Sequence, residues 1–415
     1  MLYCIKRFIT FAIPLLLVSC LSAPVARLSD LPLSFNAAIP ILANNLIMQV
    51  KSKQKILDHF SKKNIVIDPF IDIKSHEVIK VSEQIEKIFV AETQKVFGDQ
   101  FSIERLTPKN IYQADYVIHG VIMSEQYKNN GNYYHVISSV VEKNKGKVIA
   151  KSDVWISNQT LDYTPIIDSP IVILNPQSIT EDIVKIKLGA AVAPNYNSVL
   201  EIEALINKAE EAYVNKDYDT ALDLFTIATQ QQQSFDKMSM IKAYIGLYRT
   251  NINLKDLNAA EKVFGKIVSL NFEKNSILNV KFLFSVSKTS FDNTLATEYP
   301  LWLRQIGKYF EQKNQCLEIV GHSSRSGKLS YNCKLSLNRA VAVQQKLEAN
   351  FSNMKINSKT DGKAWAENIV GSGTDDAQDA IDRRVGFKLT SCPIINNRSR
   401  KNKIEDCVKL ASSFK

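Results

Sequence analysis

A chain of 415 residues is too long for one ordinary hydrophobic core and divides into about two to four domains. With 45% apolar and 23% charged residues it has the composition of folded protein, which excludes a disordered chain. Lysine and arginine number 52 against 42 acids, a basic balance that suits nucleic acid, anionic lipid or an acidic polymer.

Lys6 and Arg7 precede an apolar run, Phe8 to Val18, interrupted only by Thr10 and Pro14. As a helix this run reaches only ~16 Å, too short to span a bilayer's hydrocarbon core, and it fits the apolar part of an export signal. It ends in Leu17-Val18-Ser19-Cys20, which resembles a bacterial lipobox. The resemblance implies that residues 1–19 are a signal peptide and that the Cys20 thiol carries diacylglycerol, with residues 20–33 as a tether. Acyl chains such as palmitate bury methylenes at ~0.8 kcal/mol each, so such an anchor is effectively permanent. Leu21 follows the cysteine where an Asp would favour inner-membrane retention. By resemblance to that sorting rule, the expected location is the outer membrane, facing the periplasm. Export removes nucleic acid from the expected partners.

Two of the six cysteines, Cys4 and Cys20, lie in this segment; Cys316, Cys333, Cys392 and Cys407 lie in the last quarter. No pair has CxxC spacing, so neither a zinc knuckle nor a thioredoxin-like motif is indicated. In an oxidising compartment the late four allow two disulfides in three connectivities. Pairing Cys392 with Cys407 would staple the tail and leave Cys316 with Cys333; free buried thiols are the other reading.

The mature chain opens with apolar residues at helical spacing from Ser34 to Val50, then a strand from Asn64 stopped by Pro69. An amphipathic helix over Glu77–Val96, a buried strand at Asp115–Ile122, and a hairpin of Tyr133–Val141 and Lys147–Ile156 turning at Lys145-Gly146 follow. This order predicts an α/β domain over 34–160. The pieces "NIVIDPFID", "ADYVIHG" and "GKVIAKSDVWIS" resemble the FlgO-like flagellar lipoproteins and the related curli-secretion and synthase-activator lipoproteins. That resemblance implies a similar fold. Residues 161–197, punctuated between Pro165 and Pro194, read as a linker.

Residues 198–272 read as helices. Ala209, Tyr213, Tyr218, Ala221, Phe225 and Ala228 resemble a tetratricopeptide repeat, echoed by Leu257, Ala260, Phe264 and Ile267, with Gln230–Gln233 holding the surplus between them. A simple helical hairpin between domains fits the same residues.

The domain predicted over 276–392 has strands at Ile277–Phe284 and Leu317–Val320, helices at Ala296–Phe310 and from Asn332 to Leu347, and a closing strand to Leu389. "VGHSSRSG", "N-x-x-L-S-x-x-R-A" and a final "RRV" resemble the OmpA-like C-terminal peptidoglycan-binding domain. The resemblance implies an α/β sandwich whose ligand is a diaminopimelate stem peptide, rich in carboxylates with one free ammonium. A guanidinium near a helix N-terminus can grip a carboxylate bidentately. Arg339 takes that role here, with Arg383 as a second. Asn332 and the loop holding Ser323, Ser324 and Ser326 supply neutral hydrogen bonds. One departure stands out: the family carries Asp, which pairs with the ligand's ammonium, where this chain has Ser324. Asp361 and Asp375 are the candidate carboxylates to replace it. Residues 393–415 read as a solvated basic tail.

The fold class expected is therefore α+β multidomain: a FlgO-like α/β domain, a short all-α segment and an OmpA-like α/β sandwich. Five histidines form no HExxH pair, and no GxSxG, P-loop or GxGxxG occurs in a suitable context, so neither catalysis, a metal nor a cofactor is expected. The expected function is an outer-membrane lipoprotein that binds peptidoglycan non-covalently and tethers or scaffolds an envelope assembly, with protein partners recruited by the other domains. The alternative is an assembly or activation factor of a flagellar, secretion or wall-synthesis machine, in which wall binding is lost or secondary.

Overall fold

In a computed structural model, the first domain is built on a mixed sheet. The structure describes residues 31–54, 61–128, 132–157, 161–173, 178–231, 237–274, 276–284, 288–291, 293–313, 315–351, 354–369, 382–392 and 399–413. The signal segment, Cys20 and Asp375 lie outside them.

Helix α1 (Phe35–Lys53) is followed by β1 (Lys63–Ile67), β2 (Ile71–Asp72), α2 (Lys80–Phe97), β3 (Phe101–Arg105), β4 (Tyr116–Gln126), β5 (Asn132–Glu142) and β6 (Lys147–Ile156). The sheet order is β3-β1-β4-β5-β6, with β2 beside β4; β3, β1 and β4 run parallel, and β4, β5 and β6 form an antiparallel meander. Burial alternates along β6, the pattern of a strand with one face in the core. Ile39, Leu42 and Leu46 of α1 and Ile85 and Phe89 of α2 cover that face, meeting Ile65, Ile118 and Val136.

The segment predicted to be a linker is instead a seam between domains. Its β7 (Ile171–Val172) pairs antiparallel with the second sheet. Its α3 (Ile179–Lys185), capped by the Ser178 hydroxyl on Glu181 N at 3.1 Å, packs Ile183 beneath Val66, Val117 and Val141 of the first sheet. Lys151 Nζ donates to the carbonyls of Val184 and Ile186, both at 2.7 Å. Residues that alternate between two different neighbours show no single period, which is why the segment has the pattern of a linker.

A buried polar network joins the first domain to the helices. His119 Nδ1 lies 3.0 Å from Asp68 Oδ2 and its Nε2 2.9 Å from Tyr196 Oη; Thr180 and Asn207 also donate to the Asp68 carboxylate. Burial is the largest influence and opposes the Asp68 charge, yet His119, Lys242 and Asn207 together outweigh it and the carboxyl's pKa is lowered.

Helices α4 (Tyr196–Val214), α5 (Tyr218–Gln230), α6 (Lys237–Asn253) and α7 (Leu257–Lys274) form two successive hairpins with matching turns. Asn215-Lys216-Asp217 recurs 39 positions on as Leu254-Lys255-Asp256, with Lys216 and Lys255 at φ 62° and 63°. Asp217 Oδ1 accepts from Thr220 N at 3.2 Å and Asp256 Oδ1 from Ala259 N at 2.9 Å. Phe225 and Phe264, at equivalent positions, are both fully buried.

The last domain contains β8 (Ile277–Val280), α8 (Tyr299–Lys313), β9 (Cys316–Gly321), α9 (Leu329–Glu348), α10 (Met354–Asn357), β10 (Ser358–Gly362), β11 (Val385–Thr390) and α11 (Arg400–Ser412). Its sheet order is β10-β9-β11-β8-β7. The strand predicted to reach Phe284 ends at Val280, and β10 is a strand where the sequence pattern predicts none. Two disulfides join Cys316 to Cys392 and Cys333 to Cys407, which overturns the Cys392–Cys407 and Cys316–Cys333 arrangement. Cys392 lies two residues beyond Thr390, the β11 partner of Cys316, so those two cysteines meet at the end of that strand pair. The predicted solvated tail contains α11, which buries Cys407 and Ala411 against α9 and is covalently held there. Among the described residues, no helix is long and apolar enough to cross a membrane.

Candidate functional site

The site forms where β9 runs into α9. A Cβ on Gly321 would lie 1.9 Å from the Ser336 carbonyl oxygen, so only glycine lets the helix press directly on the strand end. Between them the loop 322–328 turns through Gly327, at φ 90°. Asn332, in the first turn of α9, donates to the Ser326 carbonyl at 2.7 Å, and the Ser324 and Ser326 hydroxyls lie 3.2 Å apart. Loop and helix start are thereby one rigid piece.

Arg339 projects from the third turn of α9 and is buried. Its guanidinium stacks over the Phe284 ring at 4.8 Å, and its Nε donates to the Lys288 carbonyl at 3.4 Å. In front of that segment lies a pocket of about 410 Å³ lined by Lys288, Thr289, Ser290, Tyr331, Lys334, Leu335 and Asn338. Its walls carry two lysines and, among the described residues, no carboxylate. Arg400 of α11 donates to Asn338 Oδ1, so the stapled tail adds a third cation beside it.

The structure thus ties Ser324, Ser326 and Asn332 together and sets Arg339 two turns farther along α9 against Phe284 and Lys288; none of the four is a pocket residue. Ser323 is buried, its hydroxyl has no hydrogen-bond partner among the described residues, and it is not a pocket residue. Arg383 is half-buried just ahead of β11, and its neighbour Arg384 is the more deeply enclosed of the pair. Arg384 donates to Asn279 Oδ1 at 3.2 Å and to the Glu367 carbonyl at 2.7 Å; burial pushes its pKa down to about 10, leaving it charged at neutral pH. His322 is fully enclosed, and burial, with Arg384 and Lys363 nearby, holds its pKa well below the usual range, so it is neutral. Asp361 pairs with Lys363 at 3.3 Å and is not a pocket residue, so it does not replace the missing acid there. Lys288, Tyr331, Lys334 and Asn338 are pocket residues that the motifs do not single out. The last three recur at helical spacing along one face of α9, which is a signal the sequence does carry.

Residues 284–382 match the OmpA family. This segment is an OmpA-like domain.

The domain's structural unit is larger than the match, with β8 before it, β11 and α11 after it, and β7 added from the seam. Several solved structures are similar. The cell wall anchor of the T6SS from Pseudomonas aeruginosa is 19% identical, over 31% of this chain and 96% of that one, with a TM-score of 0.25. The peptidoglycan-associated lipoprotein from Burkholderia pseudomallei is 21% identical, over 26% and 88%, with a TM-score of 0.22. An outer membrane protein from Borrelia burgdorferi B31 is 19% identical, over 28% and 88%, with a TM-score of 0.21. No curated protein matches the chain. An OmpA-like domain implies a peptidoglycan-binding protein of the cell envelope.

Proposed function

We propose that the chain is an outer-membrane lipoprotein, anchored through Cys20, whose OmpA-like domain holds peptidoglycan non-covalently and so tethers membrane to wall without catalysis. The observation that carries the reading is the OmpA-like domain with Arg339 at the motif's arginine position, behind a pocket walled by Lys288 and Lys334. Cations around a concave site attract stem-peptide carboxylates. Each charge-assisted bond contributes ~1.5–3 kcal/mol, so single-domain affinity is moderate, and lipid tethering near the wall compensates through effective concentration.

Co-sedimentation of the purified protein with isolated sacculi tests this. Wild type is recovered with the wall, Arg339→Ala and Lys334→Glu are not, and added salt weakens recovery. Equal recovery of all three removes the assigned site. Ser324→Asp restores the family's acid and is expected to strengthen retention on stem peptides bearing a free ammonium. Palmitate labelling that is lost in Cys20→Ala tests the anchor separately.

A second reading, an assembly or activation factor located by wall contact, draws on the FlgO-like and tetratricopeptide resemblances. Val214, Leu254 and Leu257 are exposed at the two equivalent helical turns, where a protein partner would cover them. Crosslinking in cells that yields no reproducible protein partner would count against it.

A further inference from the structure

A cavity of about 270 Å³ lies where the three domains meet. Its apolar wall is assembled from Ile79 and Pro165 of the first domain and seam, and Leu283, Leu295 and Trp302 of the OmpA-like domain. Most of its charged groups neutralise one another. Lys281 pairs with Glu77 and Asp168, and Arg249 pairs with Asp168 and Glu298. Asp72 is the exception. It is 6% exposed, its carboxylate accepts the Ser75 amide at 2.7 Å, and among the described residues no cation forms an ion pair with it. Lys74 also lines the cavity and partly offsets the Asp72 charge without forming an ion pair with it. Burial raises the Asp72 pKa against the opposing pull of the Ser75 hydrogen bonds and the Lys74 charge, so the carboxyl is only partly compensated.

A cavity with a mostly apolar wall and a few polar groups is the usual form of a small-molecule site; here those groups include the Asp72 carboxylate, which has no ion-pair partner among the described residues, and the Tyr163 hydroxyl, which has no hydrogen-bond partner there. The acid dictates the ligand's head: a partly compensated carboxylate calls for a hydrogen-bond donor, best a cationic one, and repels an anion. The volume dictates its size, equal to about nine water molecules at ~30 Å³ each. We propose that this junction is a binding site for a small amphiphilic amine, its ammonium on Asp72 and its apolar body against Trp302, Leu283 and Leu295. Because the wall comes from separate domains, such a ligand clamps them together. This site is independent of wall binding by the OmpA-like domain, and either can fail alone.

Isothermal titration calorimetry of the purified full-length protein tests it with n-octylamine, which has about that many non-hydrogen atoms, against 1-octanol and octanoate below their micellar concentrations. Octylamine is expected to bind saturably, about tenfold more tightly than octanol, the factor expected for a charge-assisted hydrogen bond, while octanoate does not bind. Asp72→Asn keeps the oxygen that accepts the Ser75 amide and is expected to bring octylamine down to the octanol level. Leu295→Trp fills the cavity and is expected to abolish both. No saturable binding of octylamine, or binding unchanged by Asp72→Asn or by Leu295→Trp, overturns the proposal.

Discussion

Lys281, immediately after the strand that opens the OmpA-like domain, forms an ion pair with Glu77 of the first domain, Nζ to Oε1 3.2 Å. The same ammonium lies 3.3 Å from Asp168 Oδ1 in the seam; Asp168 meets Arg249 of α6 at 3.1 Å, and Arg249 meets Glu298 at 2.8 Å. One chain of charges therefore crosses all three domains. Burial works against the Lys281 charge, but Glu77 and Asp168 outweigh it and its pKa is raised.

Both Lys281 and Glu77 side chains are nearly enclosed, at 12% and 14% exposure. Lys281→Met leaves Glu77 buried and short of a partner and is expected to cost about 3–5 kcal/mol. Replacing both, as Glu77→Leu with Lys281→Met, is expected to recover most of that, since a buried pair does little better than a well-packed apolar one. Urea unfolding of the two variants decides it: a double variant no more stable than the single one would show that the pair is more than mutual compensation.

His135 on β5 lies between two carboxylates, Nδ1 2.6 Å from Glu125 and Nε2 2.8 Å from Asp153, and stacks on Trp155 at 4.1 Å. Burial lowers its affinity for a proton, but Asp153 and Glu125 together outweigh it and the pKa is raised. A raised histidine contributes stability that is complete below its unfolded pKa of about 6.5 and is lost as pH rises through the folded value. Wild type is therefore expected to lose its advantage over His135→Asn on going from about pH 5.5 to above the folded pKa. Parallel denaturation curves at all pH values would contradict this.

The Cys333–Cys407 bond holds α11 on α9, and α11 buries only Cys407 and Ala411 of its own. Ile404 and Val408 add partly buried contacts and Lys403 a hydrogen bond to the Thr360 carbonyl, so the crosslink is expected to supply most of what keeps the helix docked. Cys333→Ser with Cys407→Ser is expected to cost about 2–4 kcal/mol, because the loop it closes overlaps the one closed by Cys316–Cys392. It is also expected to release Arg400 from Asn338. Hydrogen exchange over residues 400–412 reports the undocking, and protection equal to wild type would show that α11 docks by itself.

Elements with a strong internal period are legible in the residues themselves. Lys147–Ile156 shows its alternation in the sequence and is β6 over the same residues; α1 and α2 differ from the expected spans by a few residues at their ends. By contrast Ser-Lys-Thr-Asp-Gly carries no strand signal. It is β10 because each residue finds a parallel partner on Leu317–Gly321. The motif residues of the OmpA-like domain are legible because they shape the loop locally: Gly321 and Gly327 for the backbone, Asn332 for the tie to Ser326. The pocket wall is not, since Lys288 joins Lys334 only where the segment ahead of α8 meets α9 through Arg339.

Taken alone, the sequence determined what acts over a few residues: the alternation of β6, the aspartate caps that open α5 and α7, the glycine at the left-handed turn of position 327, and the serine in place of an acid at 324. Tertiary structure alone decided which cysteines pair, that the described residues between 161 and 197 are a seam, and that Glu77 and Lys281 meet, 204 positions apart. Local sterics and periodicity leave a mark on neighbouring residues. Closure of long loops costs nearly the same for many alternative pairings, so the choice among them rests with the packed core and leaves no local mark.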